Sequence, residues 1–292
     1  MNLVIQGEEV ETPDLRHLAN LAGGAAIERI SDNAFRITHA DPSVKAAVAA
    51  HCAQAKLDWG FVEEGRTFGD FRLLAMDMDS TLIAIECIDE IADFAGRKAE
   101  VAAVTASAMR GEIDWPESLR RRVAALEGLE ESALGRVYDE RLRFNPGADK
   151  LIAAARRCGV KTLLVSGGFT YFTDRVRDKL ELDYAYSNVL GGENGKLTGK
   201  VTGPLVDAAG KAAHLTRIAG ELGITREQIM AIGDGANDLP MLADAGTSVA
   251  FHAKPVVKAK ADYALDYAGL DGVLNFFPES GSSSFSGTGS GK

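Results

Sequence analysis

Asp77-Met78-Asp79-Ser80-Thr81-Leu82 follows the apolar run Leu73-Leu74-Ala75-Met76. A short apolar run of this kind reads as a buried strand, here Leu73 to Asp77, with two carboxylates delivered at its carboxyl end. Residues i and i+2 of an extended chain point the same way. Asp77 and Asp79 therefore crowd two like charges together, which is costly unless a cation or a reaction uses them. A divalent metal is the simplest remedy. A carboxylate can also attack phosphorus directly, forming an aspartyl phosphate that is later hydrolysed. Asp77 is the candidate nucleophile. Asp79 is the candidate acid/base, protonating a departing alkoxide and then taking a proton from the attacking water. A strand ending in a solvated aspartate turn would carry the same hexapeptide, so the rest of the chain decides.

Two further apolar runs end in polar residues. In Leu163-Leu164-Val165-Ser166-Gly167-Gly168-Phe169 the glycines allow backbone N–H groups to approach an anion closely before a helix begins, which suits a phosphate. Ile229-Met230-Ala231-Ile232-Gly233-Asp234-Gly235-Ala236-Asn237-Asp238 brings two more carboxylates and an amide to a strand end. Mg²⁺ prefers oxygen ligands, so Asp77, Asp234 and a phosphate oxygen make a sensible shell. Asp238 is placed to orient its neighbours. Lys211, just before a helix expected from Ala212, can offset phosphate charge and hold Asp77 ionised.

Around these runs strand and helix alternate. Helices are expected at Ala148–Cys158, Thr170–Lys179 and Ala212–Leu222 and from Asp238, with strands at Lys161–Ser166, near Ala185 and at Ile229–Gly233. Such alternation implies a parallel sheet covered on both faces, whose ligands collect beyond the carboxyl ends of its strands. From Ile85 to about Asn145 apolar residues recur at helical spacing, as in Ile88, Ile91, Ala92 and Ala95, which reads as a helical cap that excludes water from the site. Asn188 to Gly203, with its glycine turns, reads as a hairpin. Residues 1 to about 70 read as βαββαβ, the ferredoxin-like order, with Ser31-Asp32-Asn33 as the central turn. The Ser/Gly-rich tail, 280–292, is expected to be disordered.

The 292 residues suffice for a substantial core and suggest two domains or one with an insertion. A net charge of −10 argues against a broad nucleic-acid surface. No apolar run is long enough to span a bilayer and the amino terminus lacks signal-peptide features, so a cytoplasmic setting is expected. Cys52, Cys87 and Cys158 are too widely spaced for a disulfide framework or a metal motif.

The ordered set Asp77-Met78-Asp79-Ser80-Thr81, Ser166-Gly167-Gly168, Lys211 and Gly233-Asp234-Gly235-Ala236-Asn237-Asp238 resembles that of the haloacid dehalogenase-like phosphatases. Within that superfamily the chain resembles the phosphoserine phosphatase family. Glu86-Cys87-Ile88-Asp89-Glu90-Ile91-Ala92, Ala108-Met109-Arg110-Gly111 and Ser118-Leu119-Arg120-Arg121-Arg122-Val123 carry that likeness, which runs from about Phe71 to Phe276. The resemblance implies a Rossmann-like parallel sheet at 71–279 with a helical cap at about 86–145, behind an ACT-like domain at 1–70. It implies Mg²⁺-dependent hydrolysis of O-phospho-L-serine, the final step of serine biosynthesis, through an aspartyl phosphate. The metal would sit on the side chains of Asp77 and Asp234 and the backbone carbonyl of Asp79. Ser166, the Gly167 N–H and Lys211 would hold the phosphoryl oxygens, with Asn237 nearby. Glu86 would meet the substrate ammonium and Arg122 its carboxylate, with Met109 and Trp115 lining the cap; many relatives have Phe at the last position. An amino-acid phosphate does require an acid, an arginine fork and a metal. Other acceptors or substrates, or a sensing role for the first 70 residues, remain open at this point. ACT-like domains often pair, which leaves room for a homodimer.

Overall fold

A computed structural model describes residues 1–279; the Ser/Gly tail at 280–292 lies outside the described residues. Strands β1 (Asn2–Gln6), β2 (Ala26–Ser31), β3 (Ala34–Thr38) and β4 (Asp58–Val62) form an antiparallel sheet in the order β2-β3-β1-β4. With helices Thr12–Leu21 and Lys45–Ala55 between them, this is the ferredoxin-like order expected from sequence. The period of two divides β1 between two cores. Leu3 and Ile5 pack with Leu18, Ile37, Val48 and Cys52 under the helices, while Val4 joins Val62, Phe68, Phe71 and Phe276 on the other face.

Strands β5 (Leu73–Met76), β6 (Lys161–Phe169), β7 (Tyr184–Glu193), β8 (Lys196–Thr202), β9 (Ile229–Gly233), β10 (Thr247–Phe251) and β11 (Tyr263–Leu265) build the second sheet. Their order is β11-β10-β9-β5-β6-β7-β8. All neighbours are parallel except the β7–β8 hairpin. The apolar run of β5 is wholly buried because helices cover both faces of the sheet. From β5 the chain moves to β6 on one side and later returns to β9 on the other. The crevice where the order reverses therefore lies beyond β5, β6 and β9. Between β5 and β6 the insertion runs through the helices Cys87–Phe94, Lys98–Met109, Trp115–Ala124 and Ser132–Arg136 and the π-turn Val137–Arg141, and the helix Ala148–Arg157 then leads into β6.

Among the boundaries that differ from the sequence expectation, three bear on the crevice. β5 ends at Met76, one residue before Asp77, because the chain turns there. β6 runs on to Phe169 through an irregularity after Val165. The helix expected from Ala212 starts at Ala208, because the Asp207 carboxylate accepts the Gly210 N–H at 2.8 Å and caps it early; Lys211 thus belongs to the first turn rather than preceding the helix. The short strands β10 and β11 were not read from sequence.

The small sheet docks on the β11 side of the large one. Asp58, at the start of β4, accepts the backbone N–H groups of Asp266, Tyr267 and Ala268 at 2.7, 3.0 and 2.8 Å. Tyr263 Oη donates to the Phe61 carbonyl at 3.0 Å, and its ring lies over Gly60, where any side chain would collide. Burial pushes the Asp58 carboxyl up to about 6 against the pull of its N–H donors. Replacing Asp58 with Ala strands those donors, which costs about 1–3 kcal/mol. Urea unfolding of Asp58→Ala is expected to show that loss, and Asp58→Asn a smaller one.

Candidate active site

The segment after β5 is a knot of backbone bonds. The Asp77 N–H extends the ladder by donating to the Ile232 carbonyl at 3.1 Å, and the Met78 carbonyl then accepts from Leu82 and Ile83 at 2.9 and 3.0 Å. Ser80 takes a left-handed conformation, φ 57°. Asn145, where the chain returns from the helical insertion, donates from Nδ2 to the carbonyls of Ser80, Thr81 and Ile83 at 3.3, 2.7 and 3.2 Å. One amide thus fixes the loop that carries Asp77 and Asp79. Nothing in the linear pattern singled it out.

Beneath the loop, Lys211 Nζ lies 2.8 Å from Asp77 Oδ1 and 2.6 Å from Asp238 Oδ1, with both carboxylates and the ammonium buried. Burial alone would lower the lysine pKa, but Asp238 and Asp77 raise it and keep the ammonium charged. Burial and then Asp238 push the Asp77 carboxyl upward, while Lys211 pulls it down. The other oxygen of Asp238, Oδ2, accepts the N–H groups of Asp234 and Gly235 at 3.1 and 2.9 Å. Asp234 Oδ1 takes the Thr81 hydroxyl at 2.8 Å. Burial and Asp238 raise its carboxyl to about 6.

Asp77, Asp234 and Asp238 present oxygens within 4.8 Å of one another. Both Asp238 oxygens are already hydrogen-bonded, so the donors open to a metal are those of Asp77 and Asp234. This hard, oxygen-only set with a single lysine against three acids fits a divalent cation. The Asp79 side chain stands apart. Its Oδ1 accepts the Cys87 N–H at 3.3 Å. Burial, then Glu86, raise its carboxyl to about 7.

Across the crevice, Ser166 Oγ accepts the Gly168 N–H at 2.8 Å and Asn188 Nδ2 donates to the Gly167 carbonyl at 2.9 Å. This pins the bulged end of β6. A Cβ on Gly168 would sit 2.8 Å from Asp79 Oδ2 and 3.0 Å from Ser166 Oγ. One on Gly167 would sit 2.7 Å from the Trp115 ring. Trp115 opens its helix, which Asp114 caps by accepting the Glu117 N–H at 2.8 Å.

A cavity of about 630 Å³ gathers these groups. Asp77, Asp79, Ser166, Gly167, Asp234 and Asn237 line it from the strand ends; Glu86, Trp115 and Arg122 line it from the insertion. Lys211 and Asp238 lie buried below. Glu86 Oε1 accepts the Ser80 hydroxyl at 2.7 Å. Arg122 Nε is buried with no hydrogen-bond partner among the described residues. Burial lowers the Arg122 pKa against the pull of Asp89, Glu86 and Asp79. Met109 closes the helix Lys98–Met109, and its side chain lies outside the described residues. Asp89 and Lys254 also line the cavity, and sequence reading had assigned neither a role.

The haloacid dehalogenase-like hydrolase model matches residues 74–243, and the chain belongs to that family. A second model, for a domain of unknown function, matches residues 3–48. The chain is 55% identical to phosphoserine phosphatase of Albidiferax ferrireducens, over 71% of this chain and 90% of that protein. Its fold matches the crystal structure of a HAD family hydrolase from Salmonella enterica serovar Typhi with TM-score 0.87 and 32% identity, covering 96% of this chain and 100% of that one. A phospho-aspartyl intermediate analogue of phosphoserine phosphatase matches with TM-score 0.67 and 39% identity, over 71% and 99%.

Gly168→Ala tests the close approach at β6. The methyl group would displace Asp79 or Ser166, and a displacement near 1 Å costs on the order of 100-fold in rate. Turnover is expected to fall by at least tenfold (roughly 1.4 kcal/mol) with an unchanged melting profile, as read by kcat and circular dichroism.

Proposed function

We propose that the chain hydrolyses O-phospho-L-serine to L-serine and phosphate in the cytoplasm, and that it does so through an aspartyl phosphate on Asp77. One observation carries the substrate reading: the cavity lined by Asp77 and Asp79 is also lined by Glu86 and by Arg122, whose buried Nε has no hydrogen-bond partner among the described residues. The substrate bears a phosphate, a carboxylate and an ammonium. Arg122 takes the carboxylate through its planar fork and Glu86 takes the ammonium, which leaves the phosphate facing Asp77. Trp115 lines the wall between them.

An Asp77 carboxylate oxygen attacks phosphorus while the bond from phosphorus to the serine oxygen breaks. Asp79, half protonated near neutral pH because its carboxyl is raised to about 7, gives its proton to the departing serine oxygen. As a carboxylate it then takes a proton from water attacking the aspartyl phosphate, and phosphate leaves with Asp77 restored. Ser166, the Gly167 N–H, Asn237 and Lys211 hold the phosphoryl oxygens, and Lys211 opposes the burial and the Asp238 charge that push the Asp77 carboxyl upward. Asp238 positions Lys211 and the backbone of Asp234. Mg²⁺ held by Asp77, Asp234 and the Asp79 carbonyl would supply charge neutralisation between the carboxylate and the phosphate.

The test is phosphate release from a panel of phosphomonoesters with and without Mg²⁺, together with mass spectrometry of acid-quenched turnover. O-phosphoserine is expected to be the best substrate, chelation to abolish turnover and the adduct to map to Asp77. Asp77→Asn should cut kcat by about 10⁴-fold or more without unfolding, since a carboxamide is a poor nucleophile. An adduct elsewhere, or a strong preference for a sugar phosphate, overturns the reading.

A further inference from the structure

Lys254 follows β10 and stands at the same end of the sheet as the nucleophile. Its backbone N–H donates to the Asp234 carbonyl at 3.1 Å, and Pro255 opens a short helix immediately after it. The residue is exposed yet lines the cavity. Five acids line the same cavity: Asp77, Asp79, Glu86, Asp89 and Asp234. Two cations face them, Arg122 and Lys254. Arg122 sits on the insertion and is partly buried, and Lys211 is held below by two carboxylates. Among the described residues, Lys254 is therefore the exposed cation of this cavity. No ion pair or side-chain hydrogen bond engages it among those residues. A dianionic phosphate approaching a chain of net charge −10 meets repulsion at this rim unless a local positive charge offsets it.

We propose that Lys254 is the capture residue of the site: its flexible ammonium draws the phosphate of the incoming monoester across the acidic rim toward Asp77. The proposal rests on the phosphomonoesterase reading above. A lysine suits the task because it is a mobile point charge on a long stem, able to follow the anion inward, where an arginine fork would fix one geometry. Acting before chemistry, it changes capture of the substrate and leaves the chemical steps to Asp77 and Asp79.

Lys254→Gln in the full chain separates this role from a structural one. At low ionic strength kcat/KM for O-phosphoserine is expected to fall on the order of five- to tenfold, with kcat held within about twofold. The deficit should shrink as salt is raised toward about 1 M, where the screening length is roughly 3 Å. Lys254→Arg should restore most of the loss and Lys254→Glu deepen it. Calorimetric binding of inorganic phosphate in Mg²⁺ should weaken in parallel. That arm reads Lys254 even if O-phosphoserine proves to be the wrong substrate, so the two readings fail separately. Unchanged KM and phosphate affinity in Lys254→Gln, or a salt-independent loss confined to kcat, overturns the proposal.

Discussion

A buried ammonium shared between two buried carboxylates organises the catalytic end of this protein. Lys211 bridges Asp77 and Asp238 at 2.8 and 2.6 Å. Removing such charges from water costs several kcal/mol per ion, so each must be paired where it stands. The second oxygen of Asp238 is spent on the N–H groups that open the turn after β9, which ties the β9 turn to the helix bearing Lys211. Asp77 is in turn tied to β9 through its own backbone. Three chain segments far apart in sequence are thereby locked by one lysine. The acids still outnumber it, an excess compatible with a metal ion at Asp77 and Asp234.

The strand order explains why this cluster can lie open to substrate while remaining anchored in the core. β5 is flanked by β9 and β6, and the chain leaves in opposite directions from its neighbours, so no crossover covers the gap above it. The helical insertion covers it instead. Trp115 meets Gly167 from above, and Arg122 Nε has no hydrogen-bond partner among the described residues. A buried guanidinium nitrogen lacking a hydrogen-bond partner is costly, and an anionic partner is the kind of group that would satisfy it. Core and insertion thus contribute different groups to one cavity: the strand ends bring Asp77, Asp79 and Asp234, and the insertion brings Glu86, Trp115 and Arg122.

Much of this was legible in the chain because central parallel strands are buried on both faces and read as unbroken apolar runs. Leu73-Leu74-Ala75-Met76 and Ile229-Met230-Ala231-Ile232 announce themselves and deliver Asp77 and Asp234 at their ends. β10 and β11 do not: one opens on Thr247-Ser248, and the other is three residues long. The start of the helix bearing Lys211 was hidden because Ala208-Ala209-Gly210 looks like a loop until Asp207 is recognised as its cap. Glu86 and Arg122 have no periodic signal and came from resemblance. Asn145 and Thr81 make contacts that exist only after folding, across separations that no local pattern encodes, and Lys254 reaches the cavity only once β10 is in place.

The position of the small sheet follows from the same geometry. β11 is short and closes one edge of the large sheet, where exposed backbone groups would invite pairing with another chain. Asp58 takes the three N–H groups just beyond it, and Tyr263 packs against Gly60 and bonds to Phe61, so that edge is covered from within the chain. None of residues 1–70 lines the site cavity among the described residues. Contact from the small sheet runs instead to the loop after β11, where Asp266 pairs with Lys258 in the helix that begins next to Lys254. The carboxylates that line the cavity from the strand ends are therefore fixed by the large sheet, whereas the rim on the Lys254 side is braced by an element that the small sheet holds in place.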